Sequence, residues 1–174
     1  MQSIFLAGGC FWCTEAVFLK VRGVKKITPG YIGGVSKNPT YKEICTGASG
    51  HAEAIKCDFD ETEVSLELIF KIFFITHDPT QKNRQGNDVG TQYRSAIFYK
   101  SLKEKQMAQE AIKNAELLWN NTIQTELSDK LNFTSAENYH HNYFEKNPDS
   151  MYCSILIPPK LIKLKENYPD IFKH

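Results

Sequence analysis

The order of its apolar runs constrains this chain more than any other feature. Ser3 to Ala7 is a strand-like run that meets Gly8-Gly9. The period then turns helical, with Phe11, Thr14, Phe18 and Val21 recurring on one face of a helix that begins near Cys10. Gly23 ends it, and Val24 to Tyr31 reads as a strand closed by Gly33-Gly34. Asn38-Pro39-Thr40 is a turn into a short helix, Tyr41 to Cys45, stopped by Gly47. Ala52 to Phe59 alternates as a strand does, and Leu66, Ile69, Phe70, Phe73 and Phe74 then form an apolar helix face behind an N-cap at Ser65. Tyr93 to Tyr99 is the next strand. Up to residue 99 the main elements run strand, helix, strand, strand, helix, strand. That is the split βαβ (ferredoxin-like) arrangement. Its simplest packing is an α+β fold, a two-layer sandwich of one mixed β-sheet with helices on one side.

The rest of the chain adds to that core. Asp78 to Gly90 is a long polar loop of the kind that carries function. Ser101 with Glu104 makes a capping box for a helix bearing Ala108, Ala111, Ile112, Ala115 and Leu118, and a short strand follows near Ile123 to Leu127. Beyond Asn138 there is little periodicity. Pro158-Pro159 predicts an extended C-terminal tail, about 138–174, lying over the surface. With no repeat and no linker in 174 residues, the expectation is one domain spanning 1–174.

Composition excludes several function classes. A net charge of +1 gives no electrostatic case for nucleic acid or an anionic membrane surface. The longest apolar stretch, Leu66 to Ile75, is interrupted by Glu67 and Lys71 and is too short to span a bilayer. The N-terminus opens straight into a strand, without the basic and apolar regions of an export signal, so the expected location is cytoplasmic. Five cysteines in that compartment are thiols rather than a disulfide framework.

Cys10 sits where a strand hands over to a helix, and unpaired N–H groups at a helix N-terminus favour a thiolate. The same position suits a buried structural cysteine between aromatic core residues. Cys10 and Cys13 form a C-x-x-C pair, which permits a redox dithiol or half of a zinc site. Zinc needs a second pair, and His140-His141 with Cys153 fits no standard spacing, so no metal is expected. Glu53 shares a strand face with Ile55, Cys57 and Phe59; a carboxyl on a buried face is a candidate acid near neutral pH, while one at a frayed strand start merely meets water. Tyr41 and Tyr93 begin elements beside turns, where a phenol can donate into a cleft or simply point at solvent. Turn chemistry alone accounts for Asp88 and His51. Cys45 and Cys57 read as inert core thiols.

Taken together, Gly8-Gly9-Cys10-Phe11-Trp12-Cys13, Gly30-Tyr31-Ile32-Gly33-Gly34, Asn38-Pro39-Thr40-Tyr41, Gly50-His51-Ala52-Glu53 and Gln85 to Ser95 resemble the A-class peptide methionine sulfoxide reductases, in that family's order. The likeness continues more weakly through Ala136-Glu137-Asn138-Tyr139-His140. The resemblance implies that the Cys10 thiolate attacks the sulfoxide sulfur of methionine sulfoxide, free or in proteins. Phe11 and Trp12 are then the apolar pocket for the substrate methyl group, Glu53 the acid, Tyr41 and Tyr93 the phenols that hold the oxygen, and Asp88 a supporting residue. It implies the S epimer, a sulfenic acid on Cys10, a disulfide, and a thioredoxin-like reductant, with no metal or organic cofactor and a monomeric enzyme. Two thiols compete to resolve Cys10. Cys153 lies in a setting like the family's tail motif but lacks its glycines, and Cys13 stands where other members often have glycine. Proximity is the case for Cys13, but the tail motif and the freedom of an aperiodic tail to reach the site make Cys153 the expected first resolving thiol. The rival readings are a general dithiol oxidoreductase using Cys10 and Cys13, which leaves Glu53, Tyr41 and Tyr93 unexplained, and a non-enzymatic peptide-binding module around Phe11 and Trp12.

Overall fold

The computed structural model describes residues 1–174. Its elements run β1 (Gln2–Gly8), α1 (Phe11–Leu19), β2 (Val24–Ile32), α2 (Tyr41–Cys45), β3 (Ala52–Phe59), α3 (Leu66–Thr76), β4 (Arg84–Gln85) and β5 (Asp88–Val89). There follow β6 (Ser95–Phe98), α4 (Leu102–Trp119), β7 (Glu126–Ser128), β8 (Thr134–Ser135), α5 (Tyr143–Lys146) and α6 (Met151–Asn167). The result is an α+β fold on a six-stranded mixed sheet ordered β7-β6-β1-β3-β2-β8, with β4-β5 as a separate hairpin. The β1–β3, β1–β6, β2–β3 and β2–β8 pairs are antiparallel, and β6–β7 is parallel.

The two sheet faces are unequal. One meets a continuous core of 26 buried residues, to which β1 gives Ile4 and Leu6, α1 Val17 and Phe18, and α3 Ile69, Phe70 and Phe73. Ala108 and Ala115 of α4 and Leu164 of α6 reach the same core, so all four long helices pack on this side. The other face carries only seven buried residues, mostly small (Ala7, Ala52, Ala54, Ala96), beneath Phe133. Each fully buried phenylalanine contributes about 1.5–3 kcal/mol. Truncating Phe73, whose ring also closes against Gly8, costs about 3–5 kcal/mol.

Local signals account for the helix starts. Ser65 accepts a hydrogen bond from the Leu68 N–H, and Ser101 from that of Glu104. The return bond from Glu104 goes to the N–H of Lys100 instead of Ser101, so the box expected there is open by one residue. Tyr93 lies in a 3₁₀ turn, Thr91–Tyr93, and the strand starts only at Ser95. Its N–H is taken by the Gly90 carbonyl at 3.1 Å, which removes it from the ladder. The strand expected at 123–127 forms as β7, displaced toward Ser128.

The C-terminal segment corrects the expectation of an extended tail. Residues 151–167 are helical, with Pro158 and Pro159 inside the helix. The apolar spacing of Cys153, Ile157 and Leu164 supplies a buried face that outweighs the two lost hydrogen bonds, and the carbonyls left without partners belong to exposed Ser154 and Ile155. No helix is long and apolar enough to cross a membrane.

Candidate active site

The site is assembled at the junction of β1 and α1. Gly9 has φ +91°, and a Cβ there would lie 2.6 Å from the Gln85 side chain, so the turn under the β4–β5 hairpin requires glycine. Cys10 follows as the N-cap of α1, and its side chain makes no capping bond. The helix terminus was expected to lower this thiol. Burial instead pushes it well up, and a hydrogen bond with Cys13 and the charge of Glu53 act the same way. Cys13 moves down, chiefly through its hydrogen bond with Cys10 and against its own burial, with the Lys160 charge assisting. The dithiol therefore ionises first at Cys13 and keeps its second proton on Cys10.

Glu53 faces this pair from β3. Its strand partner is Tyr31 of β2, and its neighbours along the same face, Ile55, Cys57 and Phe59, lie in the main core as their alternation predicted. The carboxyl is 2% exposed, and Oε1 accepts the Phe11 N–H, an orphan donor of the first turn of α1, at 3.1 Å. Burial pushes it up to about 8, past the lowering effect of that N–H, with the charges of Asp88 and Cys13 adding to the rise. Glu53 is thus a neutral acid around pH 7. Tyr41 and Tyr93 are brought to the same place. Burial raises both phenols far above their ordinary range, and the charge of Glu53 is the next cause for each.

Phe11 and Trp12 separate in environment. Phe11 is 1% exposed and packs into the core, 5.7 Å from the Tyr31 ring and 4.9 Å from His140. Trp12 is half-buried, stacked on Tyr143 at 3.8 Å with rings 6° from parallel. Its indole N–H donates to Nδ1 of His140 at 3.0 Å, which places the His140 proton on Nε2, a buried atom without a partner. Asp88 accepts a hydrogen bond from the Tyr152 hydroxyl and so ties the β5 hairpin to α6. A cavity of about 350 Å³ opens onto the dithiol between these elements, lined by Cys10, Cys13, Asp88, Tyr152, Ile155 and Lys160.

Several participants escaped the sequence reading. Glu137 accepts the Tyr31 hydroxyl and the Tyr41 N–H, each at 2.9 Å, and so fixes the start of α2. Those bonds hold Glu137 below its ordinary range against the burial that would raise it. His140, Tyr143 and Tyr152 come from the same late segment, where the weak family likeness through His140 and the tail motif around Cys153 named no role for them and the residues show no periodicity. Cys153 is fully buried in one cluster with Cys10 and Cys13, and its thiol is raised by burial, with the Cys13 charge a further cause. Cys57 is a core thiol as expected, but Cys45 is exposed at the end of α2. His51 accepts the Gly34 N–H at Nδ1 and bonds the Ser36 carbonyl at Nε2, a loop clasp rather than a reactive base.

The family model for peptide methionine sulfoxide reductase matches residues 2–171. Among curated relatives, a peptide methionine sulfoxide reductase MsrA of Trichodesmium erythraeum is 53% identical over 172 residues, covering 98% of this chain and 97% of its own. One of Acinetobacter baumannii is 50% identical over 177 residues and covers all of both chains. The crystal structure of reduced Mxr1 from Saccharomyces cerevisiae superposes with a TM-score of 0.81 at 32% identity, over 87% of this chain and 88% of that one. The chain belongs to the peptide methionine sulfoxide reductases, in the MsrA class that reduces peptide-methionine (S)-S-oxide.

Proposed function

We propose that oxygen transfer is carried out by Cys10 with Glu53 as its acid, an assignment carried by one observation: a carboxyl still protonated around pH 7 sits beside the thiol pair on the first N–H of α1. Cys10 attacks the sulfoxide sulfur as its own proton passes to Cys13, the more acidic thiol of the pair. Glu53 protonates the sulfoxide oxygen, which is otherwise a poor leaving group, while Tyr41 and Tyr93 donate to it. Oxygen ends on Cys10 as a sulfenic acid and methionine leaves, so the substrate sulfur gains two electrons and the Cys10 sulfur loses two. Trp12, with Phe11 behind it, forms the apolar wall for the substrate methyl group, and Asp88 holds the cavity mouth through Tyr152.

Cys13 then resolves Cys10, supported by the hydrogen bond between them. Cys153, which faces Cys13, takes over the disulfide by thiol exchange. This order departs from the expectation that Cys153 resolves first: Cys153 lies on a helix rather than a mobile tail, while Cys13 is already hydrogen-bonded to Cys10. A thioredoxin-like reductant completes the cycle; the yeast relative Mxr1 has been solved in complex with Trx2. The central order β6-β1-β3-β2, antiparallel throughout, supports a split βαβ core, and the continuous core supports one reductase domain over 1–174. We read the enzyme as a cytoplasmic monomer acting on free and protein-bound sulfoxide. Single-turnover methionine release tests the central assignment. Glu53→Gln, which keeps an acceptor for the Phe11 N–H but has no proton to give, slows the step by about two orders of magnitude. An unchanged rate removes Glu53 from the chemistry.

A further inference from the structure

Lys160 is a partly buried cation beside the dithiol that the oxygen transfer does not use. It lies on α6 seven residues beyond Cys153, on the same helix face, and its Nζ donates to the Thr76 carbonyl at the C-terminal end of α3 at 2.6 Å. That bond engages one of its three N–H groups, and no carboxylate forms an ion pair with it. Unpaired cations are expensive to bury. Both the cavity at the dithiol and a second, small gap bounded by Gly8, Cys13, Phe73, Thr76 and His77 are lined by Lys160 together with Cys13. The α6 helix thus brings both a thiol and a cation to Cys13.

We propose that Lys160 is a positioning residue for the resolving step, its ammonium returning the Cys13 sulfur, protonated during oxygen transfer, to the thiolate while Cys10 carries the sulfenic acid. The proposal rests on the reading that Cys13 resolves Cys10. In the resting enzyme the Cys10 S–H is the chief support of a Cys13 thiolate. Once Cys10 is oxidised that S–H is gone, and the ammonium is the cation that remains. The Cys13 sulfur attacks the Cys10 sulfur, an S–S bond forms, and the S–O bond breaks. The oxygen leaves with its own proton and takes one more from solvent, replacing the proton Cys13 gave up, and departs as water. The other groups facing the pair do not substitute for Lys160. Asp88 opposes ionisation of Cys13, and Tyr152 assists it only as a neutral donor. Burial lowers the Lys160 ammonium and Lys163 adds to that, while the charges of Cys13, Cys10 and Asp78 oppose it; burial holds His77 neutral.

The test is a chemical quench of one turnover without reductant. In each sample it measures methionine released, Cys10 sulfenic acid trapped by dimedone, and the Cys10–Cys13 disulfide by peptide mapping, over pH 5.5 to about 9. Lys160→Met moves the pH midpoint of disulfide formation up by about one unit and slows resolution about tenfold relative to methionine release at pH 7. Lys160→Arg restores both, and methionine release in the same quench certifies the fold. Resolution by Lys160→Met at the wild-type rate and midpoint overturns the proposal, as does a Lys160→Arg enzyme no faster than Lys160→Met. If Cys13→Ser clears its sulfenic acid at the wild-type rate, the reading that Cys13 resolves Cys10 is what has failed.

Discussion

The half of the site built on the sheet and the half carried by α5 and α6 are held by different means. Cys10 and Glu53 are fixed by strand register: Leu6 opposite Ile55 in β1–β3, Tyr31 opposite Glu53 in β2–β3, and the bond from the Phe11 N–H. Moving either residue means breaking a ladder. The C-terminal half is attached by separate pins. Glu15 accepts the Asn142 N–H at 2.8 Å, Tyr143 stacks on Trp12, Tyr152 bonds Asp88, and Lys160 bonds the Thr76 carbonyl. Oxygen transfer thus sits where the backbone cannot shift, and the thiol that must finally meet a reductant sits on a cover that can.

The sharpest way to break this division is to compare two cysteines. Folded Cys10→Ser releases no methionine, because a hydroxyl is neither ionised nor nucleophilic enough near neutral pH. Cys153→Ser still releases one equivalent per enzyme in the first turnover and fails only in recycling by a thioredoxin-like protein. Measurable turnover by Cys10→Ser, or full recycling by Cys153→Ser, erases the distinction. A smaller effect, confined to the sheet half, is the stability cost of the acid. Because folding raises the Glu53 carboxyl to about 8 from an ordinary 4.5, its contribution to stability is complete below 4.5 and lost as pH rises through 8. Denaturation of Glu53→Gln therefore shows a gain over the wild type that grows across that window, and equal curves at both ends would refute the buried acid. His77 has the opposite sign. Burial holds it down to about 3 from 6.5, so its contribution is complete above 6.5 and lost as pH falls toward 3. His77→Gln should flatten that part of the profile. The smallest effect lies in the cover. Tyr152→Phe removes one hydrogen bond worth about 1 kcal/mol, which quickens amide exchange about fivefold in the first turns of α6. Amides of β1 and β3 keep wild-type protection; equal acceleration there would mean the halves open together.

The two halves also differed in legibility. β1, α1, β3 and α3 could be read because each obeys one period over its length, and Glu53 could be placed because the alternation from Glu53 to Phe59 assigned it a face. Tyr93 was misread as strand because a single turn bond from Gly90 overrides β propensity. α6 was missed for a physical reason. A proline pair is the strongest local signal against a helix, and the opposing signal (Cys153, Ile157 and Leu164 at helical spacing) gains its meaning only from the packing of α6 against α1 and α3. Lys160 depends on a contact across the chain and left no mark in local pattern, and His140 stands in a stretch of family likeness that does not reveal its bond to Trp12.

Pro158 and Pro159 have a mechanical consequence. Neither ring nitrogen carries a hydrogen, so the helix from Met151 to Asn167 lacks two consecutive rungs, and these mark a crease between its first and second parts. The first piece carries Cys153, which at 0% exposure is sealed from any outside reductant. The second carries Leu164, rooted in the main core. Bending at the crease frees the first piece at the expense of its own rungs and the Tyr152 tether, while the second stays seated. The frequency with which the enzyme presents its last disulfide to solvent is then governed by two imino acids that touch neither sulfur nor substrate.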